Sequence, residues 1–266
     1  MRFSPRVEAL QGPGAAAWEI HSRAVADRAA GADVVLMSIG DPDLDTPAPV
    51  VDRAVAGLRA GETHYAPIRG LFDLRERIAA RFRAEGGPAD TGPENVVVLA
   101  GAQNGLFAAA QLLFAPGDEV LLPDPAYVTY DATLRAAGAE PVRIAPRTDA
   151  PFRPDPAAMA AAVGPATRGI LLNTPANPTG IAMTHDELAA IAAIAREADL
   201  VVMVDEVYAR LCFDRPHVPF AGLPGMAERT VTIGSLSKSH AMTGWRVGWA
   251  IGPEAFATHA ERLGLA

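Results

Sequence analysis

The sequence predicts an α/β protein in which a mostly parallel sheet is covered by helices on both faces. Half of its residues are hydrophobic, and apolar, β-branched runs alternate with helical stretches from Val96 to Ile251. This alternation is typical of parallel sheets, because each crossover between strands places a helix over one face. The predicted strands are 96–99, 119–122, 140–144, 169–173, 201–205, 231–235 and 247–251.

Turn and capping residues mark the connections between these strands. A glycine turn at Gly101 follows the first strand and opens an apolar helix that runs to Phe114. Thr184 and Glu187 have the spacing of a capping box, which predicts a helix over 185–197. Polar groups that bind ligands collect at the carboxyl ends of parallel strands. We therefore expect Asn177, Asp205 and Ser235 to lie at one edge of the sheet.

Composition excludes several classes of function. The chain has 266 residues and a formal net charge of -8, and it has no basic patch of the kind that binds nucleic acid. No apolar run is long enough to span a membrane, and residues 1–5 lack the apolar core of a signal peptide. The single Cys212 excludes an internal disulfide and favours a reducing, cytoplasmic location. The six histidines lack metal-ligand spacing, so we expect no metal site.

The most informative residue is Lys238, which lies between two strand-like runs. A lysine at the mouth of such strands, near the fixed charge of Arg246, is suited to attack a carbonyl group. Ser235, Ser237 and Arg246 provide two hydroxyl groups and a forked donor, which suit a phosphate. A nucleophilic lysine beside a phosphate site is what pyridoxal phosphate requires.

These residues resemble a known family. Ser-x-Ser-Lys at 235–238, followed by Gly-x-Arg-x-Gly at 244–248, resembles the cofactor-lysine motif of the class I/II aminotransferases, which are fold-type I pyridoxal phosphate enzymes. Further matches follow in family order from Gly40 to Gly252. They include a Gly-x-Pro-Asp-x-x-Thr-Pro loop that begins at Gly40 and an Asn-Pro-Thr-Gly loop that begins at Asn177.

The resemblance implies a role for each matching residue. Lys238 would form the Schiff base with pyridoxal 5'-phosphate and move the α-proton, and Asp205 would pair with the protonated ring nitrogen. Tyr208 and Asn177 would hold the phenolic oxygen of the cofactor. The phosphate would be bound by a set of six residues: Gly101, Ala102, Gln103, Ser235, Ser237 and Arg246.

Three further residues take roles from the same resemblance. Tyr127 would stack on the pyridine ring. Gly40, together with Asn177, would lie against the substrate carboxylate. Tyr65 would reach across a homodimer to the partner's phosphate.

The resemblance also implies the architecture. The family fold has a seven-stranded sheet in which 247–251 runs antiparallel to its neighbours. Residues 1–45 are then expected to form an N-terminal arm and part of a small domain, and 46–266 the large cofactor-binding domain. The chain stops at Ala266, so we expect the C-terminal small domain, with its arginine for the substrate carboxylate, to be missing.

Three stretches are similar to arginine:pyruvate transaminases, namely 14–21, 223–230 and 237–246. The function that this resemblance implies is transfer of an amino group from an L-amino acid, with arginine as a candidate donor, to a 2-keto acid such as pyruvate. Two alternatives remain open at the level of sequence. One is another fold-type I reaction, such as that of a C–S lyase or a decarboxylase. The other is a truncated domain that binds the cofactor without turnover.

Overall fold

Seven strands form one sheet in the computed structural model, which describes residues 1–4, 7–8, 10 and 13–265. Their order across the sheet is β1-β7-β6-β5-β4-β2-β3. β7 runs antiparallel to both of its neighbours, and all the other pairs are parallel. The strands are β1 (Val96–Leu99), β2 (Glu119–Pro123), β3 (Glu140–Ile144), β4 (Thr167–Asn173), β5 (Val201–Asp205), β6 (Thr230–Ser235) and β7 (Gly248–Ile251).

Helices connect the strands and precede the sheet. In chain order they are α1 (Pro13–Ala29), α2 (Ala48–Arg59), α3 (Phe72–Ala84), α4 (Ala102–Leu113), α5 (Tyr130–Ala137), α6 (Pro156–Ala161), α7 (His185–Glu197) and α8 (Glu254–Leu265). The capping box predicted for α7 is confirmed. Thr184 Oγ1 accepts from the Glu187 amide at 3.2 Å, and the Glu187 carboxylate accepts from the Thr184 amide at 2.7 Å.

The hydrophobic core lies on both faces of the sheet. Side chains alternate between the two faces along each strand, so successive residues belong to different halves of the core. In β5, Met203 packs with α4, α5 and α8, whereas Val202 and Val204 pack with α6 and α7. In β4, Leu171 lies on the first face and its two neighbours in the chain lie on the second. The prediction of an α/β fold with helices on both faces is therefore confirmed.

Strand boundaries agree with the prediction to within two residues, and β7 shows why they shift. This strand was expected to begin at residue 247, but it begins at Gly248. Arg246 has a φ of 54° and a ψ of 48°, a left-handed conformation that ends the turn before β7. The predicted division into 1–45 and 46–266 stays a prediction, and Ala266 lies outside the described residues.

Candidate active site

Several of the predicted site residues lie at the edge of the sheet where the parallel strands end. Asp205 is the last residue of β5, and Ser235 is the last residue of β6. β4 ends at Asn173, opposite Asp205 and four residues before Asn177. The pairing of these strands thus brings Asn177, Asp205 and Ser235 to one edge.

Asp205 is a buried carboxylate that accepts two hydrogen bonds. Only 5% of the residue is exposed. Its Oδ2 accepts from the hydroxyl of Tyr130 at 2.8 Å, and its Oδ1 accepts from the Val207 amide at 3.1 Å. The pKa of Asp205 is raised to about 6, mainly by burial and to a smaller extent by the adjacent Glu206, although both hydrogen bonds act in the opposite direction.

Two asparagines link Asp205 to Tyr208. Asn177 donates from Nδ2 to the Tyr208 hydroxyl at 3.4 Å. The side chain of Asn173 accepts from the Asn177 amide at 2.6 Å and donates to the Asp205 carbonyl at 2.9 Å. Asn173 therefore holds both Asn177, which is predicted to contact the phenolic oxygen, and Asp205, which is predicted to pair with the ring nitrogen.

A pair of aromatic rings lies beside this carboxylate. Tyr127 is half-buried, and its ring lies edge-on to that of Tyr130, with 5.6 Å between the centroids and an interplanar angle of 74°. Burial raises the pKa of the Tyr127 hydroxyl, and the Asp205 charge adds to this effect. Sequence reasoning selected Tyr127 but missed Tyr130 and Asn173.

The start of α4 forms a close-packed cradle with Arg246. Gly101 precedes α4 with a φ of 87°, and a Cβ atom at this position would overlap the Arg246 guanidinium. A Cβ on Gly248 would come within 2.6 Å of the Ala102 nitrogen. The first amides of a helix lack partners within that helix, so they can donate to an anion.

The guanidinium of Arg246 is exposed and held at two points. It donates to the Thr243 carbonyl at 2.9 Å and to the Ala100 carbonyl at 3.4 Å. It leaves forked donors beside the first turn of α4, where a phosphate could accept from both.

Ser235 and Ser237 lie next to each other at the end of β6. Ser235 Oγ is 2.8 Å from Ser237 Oγ and 2.9 Å from the Val247 carbonyl oxygen, and it accepts from the Ser237 amide at 2.9 Å. The neighbouring Lys238 donates from Nζ to the carbonyl of Gly40. The structure thus brings Gly40, which was predicted to bind substrate, to the predicted cofactor lysine.

Gln103 and Tyr65 are placed differently from the other predicted residues. The Gln103 side chain donates to Thr133 Oγ1 at 3.0 Å and accepts from Thr129 Oγ1 at 2.8 Å. The backbone N–H of Gln103, and not its side-chain amide, is thus the group available to a ligand. Tyr65 is fully exposed between α2 and α3, so it contacts none of the other predicted residues. Its role across a dimer stays a prediction.

The described part of the chain contains neither a cluster of metal-ligating side chains nor a helix suited to a membrane. Among the residues that the structure describes, no three histidine, cysteine, aspartate or glutamate side chains are grouped as they would be around a metal ion. Within the same residues, no helix combines the length and the apolar character that crossing a membrane requires.

Comparison with known proteins identifies the family. The model of the family described as aminotransferase class I and II matches residues 32–265. The chain belongs to the class I and II aminotransferases. Members of this family use pyridoxal phosphate, which agrees with the cofactor predicted from the sequence.

Individual relatives of this aminotransferase-family chain span more than one specificity. It is 50% identical over 265 residues to the arginine–pyruvate transaminase of Pseudomonas aeruginosa, covering 100% of this chain and 67% of that protein. It is 37% identical over 254 residues to the aspartate/prephenate aminotransferase of Thermus thermophilus, covering 95% of this chain and 64% of that protein. The chain thus spans about two thirds of the length of these relatives.

Solved structures agree with this assignment. The Thermus thermophilus aspartate aminotransferase with maleate superposes with a TM-score of 0.93 and 34% identity, covering 99% of this chain and 68% of that one. The aspartate aminotransferase of Rhizobium meliloti gives a TM-score of 0.93 and 30% identity, covering 100% of this chain and 66% of that one. The fold-type I assignment is therefore confirmed.

Proposed function

We propose that this chain carries the cofactor site of a pyridoxal phosphate-dependent aminotransferase that moves an amino group from L-arginine to a 2-keto acid such as pyruvate. One observation carries the chemistry: the buried carboxylate of Asp205 ends the strand beside the Lys238 segment, where it can neutralise a cationic ring nitrogen. The choice of arginine and pyruvate rests on the 50% identity to the arginine–pyruvate transaminase.

The residues present fit the cofactor. The Arg246 guanidinium packs directly against Gly101, which precedes the first turn of α4, and a guanidinium beside the first amides of a helix suits a dianionic phosphate. Ser235 and Ser237 add hydroxyl groups at the end of β6. The Asn177–Tyr208 pair provides donors for a phenolic oxygen, and Tyr127 provides a half-buried ring for the face of the pyridine.

Each side chain then has a distinct task in the reaction. The bound cofactor supplies a conjugated ring that accepts electrons when the bond to the α-hydrogen breaks. Lys238 Nζ would take the proton from the α-carbon and return it at the end of the transfer, as a general base and then an acid. The carboxylate of Asp205 would keep a proton on the ring nitrogen.

The composition of the chain allows an unambiguous test of Lys238. Its 23 basic residues comprise 22 arginines and a single lysine, Lys238. We expect incubation with pyridoxal phosphate, followed by borohydride reduction, to leave the cofactor as a secondary amine on Lys238, at a level well above any adduct on the N-terminal α-amine. Mass spectrometry of the digested chain locates it. The Lys238→Arg variant keeps the charge and should carry no adduct at position 238.

Activity is tested separately from cofactor uptake. We expect the absorbance of the loaded chain to change with L-arginine and to be restored by pyruvate, with one keto acid formed for each amino group. L-Alanine in place of arginine tests the donor. Ammonia or carbon dioxide as the product would support a lyase or a decarboxylase instead, and turnover by the Lys238→Ala variant would refute the assignment of Lys238.

A further inference from the structure

Tyr130 contacts the carboxylate of Asp205 directly, although no role has yet been assigned to it. Only 1% of this tyrosine is exposed, and its hydroxyl donates to Asp205 Oδ2 at 2.8 Å. The other oxygen, Oδ1, accepts from the Val207 amide. With one donor on each oxygen, the carboxyl group cannot rotate without losing a hydrogen bond.

The position of Tyr130 is set by contacts on two sides. It is the first residue of α5, and the next residue, Asp131, is ion-paired with Arg143 on β3. Arg143 also pairs with Asp124, so one cation holds both the helix and the loop that leads into it. These contacts fix the backbone that carries the Tyr130 ring.

A second set of contacts joins α5 to the cradle at α4. Gln103, in the first turn of α4, is hydrogen-bonded to Thr129 and Thr133, which flank Tyr130. The position of the Tyr130 hydroxyl is therefore fixed by contacts of α5 with both β3 and α4.

We propose that Tyr130 is a positioning residue that orients the Asp205 carboxylate and maintains its negative charge for the ring nitrogen of the cofactor. The inference rests on the proposed function, because the ring nitrogen is that of pyridoxal phosphate. Tyr130 acts through Asp205 and need not touch the cofactor or the substrate.

The charges around Asp205 explain why such a donor is needed. Burial is the largest influence that raises the pKa of Asp205, and Glu206 adds to it. The Tyr130 hydroxyl is the largest influence that lowers this pKa, ahead of the Val207 amide. Tyr127 and Tyr208 also interact with the Asp205 charge. Burial raises the pKa of Tyr130 well above its usual value, so its hydroxyl keeps its proton at neutral pH.

The first test measures Asp205 in the cofactor-free chain. Carbon-13 NMR of chain labelled at aspartate carboxyl groups follows its titration, and the Asp205→Asn variant assigns the resonance. We expect a midpoint of about 6 in the wild type and a higher midpoint in Tyr130→Phe. An unchanged or lower midpoint overturns the proposal. In wild-type chain labelled at tyrosine ring carbons, the Tyr130 resonance should shift with the same midpoint. A Tyr130 resonance that does not follow this titration also overturns the proposal, even if the variant fails to fold.

A matched control removes a buried hydroxyl elsewhere. Thr230 lies at the opposite end of β6 from Ser235, is 1% exposed, and has a hydroxyl without a hydrogen-bond partner among the described residues. Thr230→Val should leave the Asp205 midpoint unchanged. An equal shift in this control would show that any loss of a buried hydroxyl produces the effect, which overturns the proposal.

The second test is a double-mutant cycle on cofactor affinity. Tyr130→Phe should weaken the uptake of pyridoxal phosphate about tenfold in the wild-type background, the effect of losing a hydrogen bond to a charged group. In the Asp205→Asn background the same change should have an effect of less than about twofold, because the charge it supports is gone. Equal losses in both backgrounds would indicate a purely structural role.

Failure of the proposed function can be distinguished from failure of the present inference. If the wild type takes up no cofactor, the proposed function fails, and with it the role of Tyr130 at the ring nitrogen. If the wild type takes up cofactor normally while Tyr130→Phe titrates and binds like the wild type, only the present inference fails.

Discussion

The two ends of the candidate site are built in different ways. Around Asp205 the side chains are buried or half-buried, and their partners come from strand ends and from α5. Around Lys238, the guanidinium of Arg246 is exposed, and the lysine meets a carbonyl 198 residues away in the chain. That carbonyl belongs to residues 32–47, which form neither helix nor strand.

The difference separates side chains that the fold fixes in place from side chains whose main role is to retain the cofactor. The Asp205 end is set by the sheet before any ligand binds, so we expect changes there to alter reactivity and pH dependence in addition to cofactor affinity. At the Lys238 end, Lys238 and Arg246 donate to backbone carbonyls that lie outside the sheet, so we expect changes around the lysine to alter mainly cofactor retention. Substitutions at each end can break or sharpen this contrast.

After the loss of turnover expected from Lys238→Ala, the largest effect on turnover is expected from Asp205→Asn at the preorganised end. Removing the charge that pairs with the ring nitrogen should lower kcat about a hundredfold to a thousandfold, the effect of breaking a buried ion pair. Steady-state kinetics at saturating cofactor measures it. A loss that excess cofactor restores would place Asp205 with the retention groups.

The same variant should change the pH dependence of stability. Because the folded pKa of Asp205 lies above its ordinary value of 3.8, its contribution to stability is complete below about pH 4 and is lost as the pH rises through about 6. The loss amounts to about 3 kcal/mol at neutral pH. Thermal unfolding of the cofactor-free chain should show this slope in the wild type, and Asp205→Asn should lack it. An identical slope in the variant would contradict the assignment.

At the exposed end, Arg246→Ala should weaken cofactor affinity about tenfold to a hundredfold, through loss of a charge-assisted, forked contact. Arg246→Lys should recover part of this loss, because it restores charge without the fork. Equilibrium titration with pyridoxal phosphate measures both. The control is Arg135→Ala, which removes an arginine paired with Glu140 at the other edge of the sheet. Equal losses in the control would count against a phosphate role for Arg246.

Two glycines sharpen the comparison with a smaller effect. Gly101→Ala should lower cofactor affinity about tenfold, because the new Cβ displaces the guanidinium and the positive φ is unfavourable for alanine. At Gly40 a Cβ would meet nothing within 4 Å, so Gly40→Ala should retain both affinity and stability. Titrations of the two variants side by side test this prediction, and equal losses would contradict it.

The smallest effect on the site is expected from Thr184→Ala in the capping box of α7. Loss of this cap should reduce the free energy of unfolding by about 1 kcal/mol. Cofactor affinity should stay at the wild-type value, because α7 packs on the face of the sheet against α6 and not against α4 or α5. Denaturant unfolding and titration together measure the two quantities, and a changed affinity would show that this face also supports the site.

Much of the fold could be predicted because its signals are local. Each strand is a contiguous apolar run, and the Ser235–Lys238 motif lies within four residues of the chain. Tyr130 and Asn173 escaped prediction because their importance depends on where their side chains meet other elements. No local motif in the sequence marks Tyr130.

The start of β7 escaped prediction for a different reason. A left-handed arginine before a strand has no pattern of hydrophobicity to mark it, and a tertiary contact to Ala100 and a local one to Thr243 accompany it. The bond between Lys238 and Gly40 likewise joins distant parts of the chain.

The hydrogen bonds that join Thr46 to the turn between β6 and β7 make tryptophan fluorescence a probe of that contact. Thr46 donates to the Ala241 carbonyl at 2.5 Å and accepts from Trp245 Nε1 at 2.9 Å, and this indole is partly exposed to water. Indole fluorescence responds to hydration and to the partner of its N–H group. With Trp18 and Trp249 replaced by phenylalanine, the emission of Trp245 reports, without an added dye, the separation of residues 40–47 from the turn after β6 that holds the lysine.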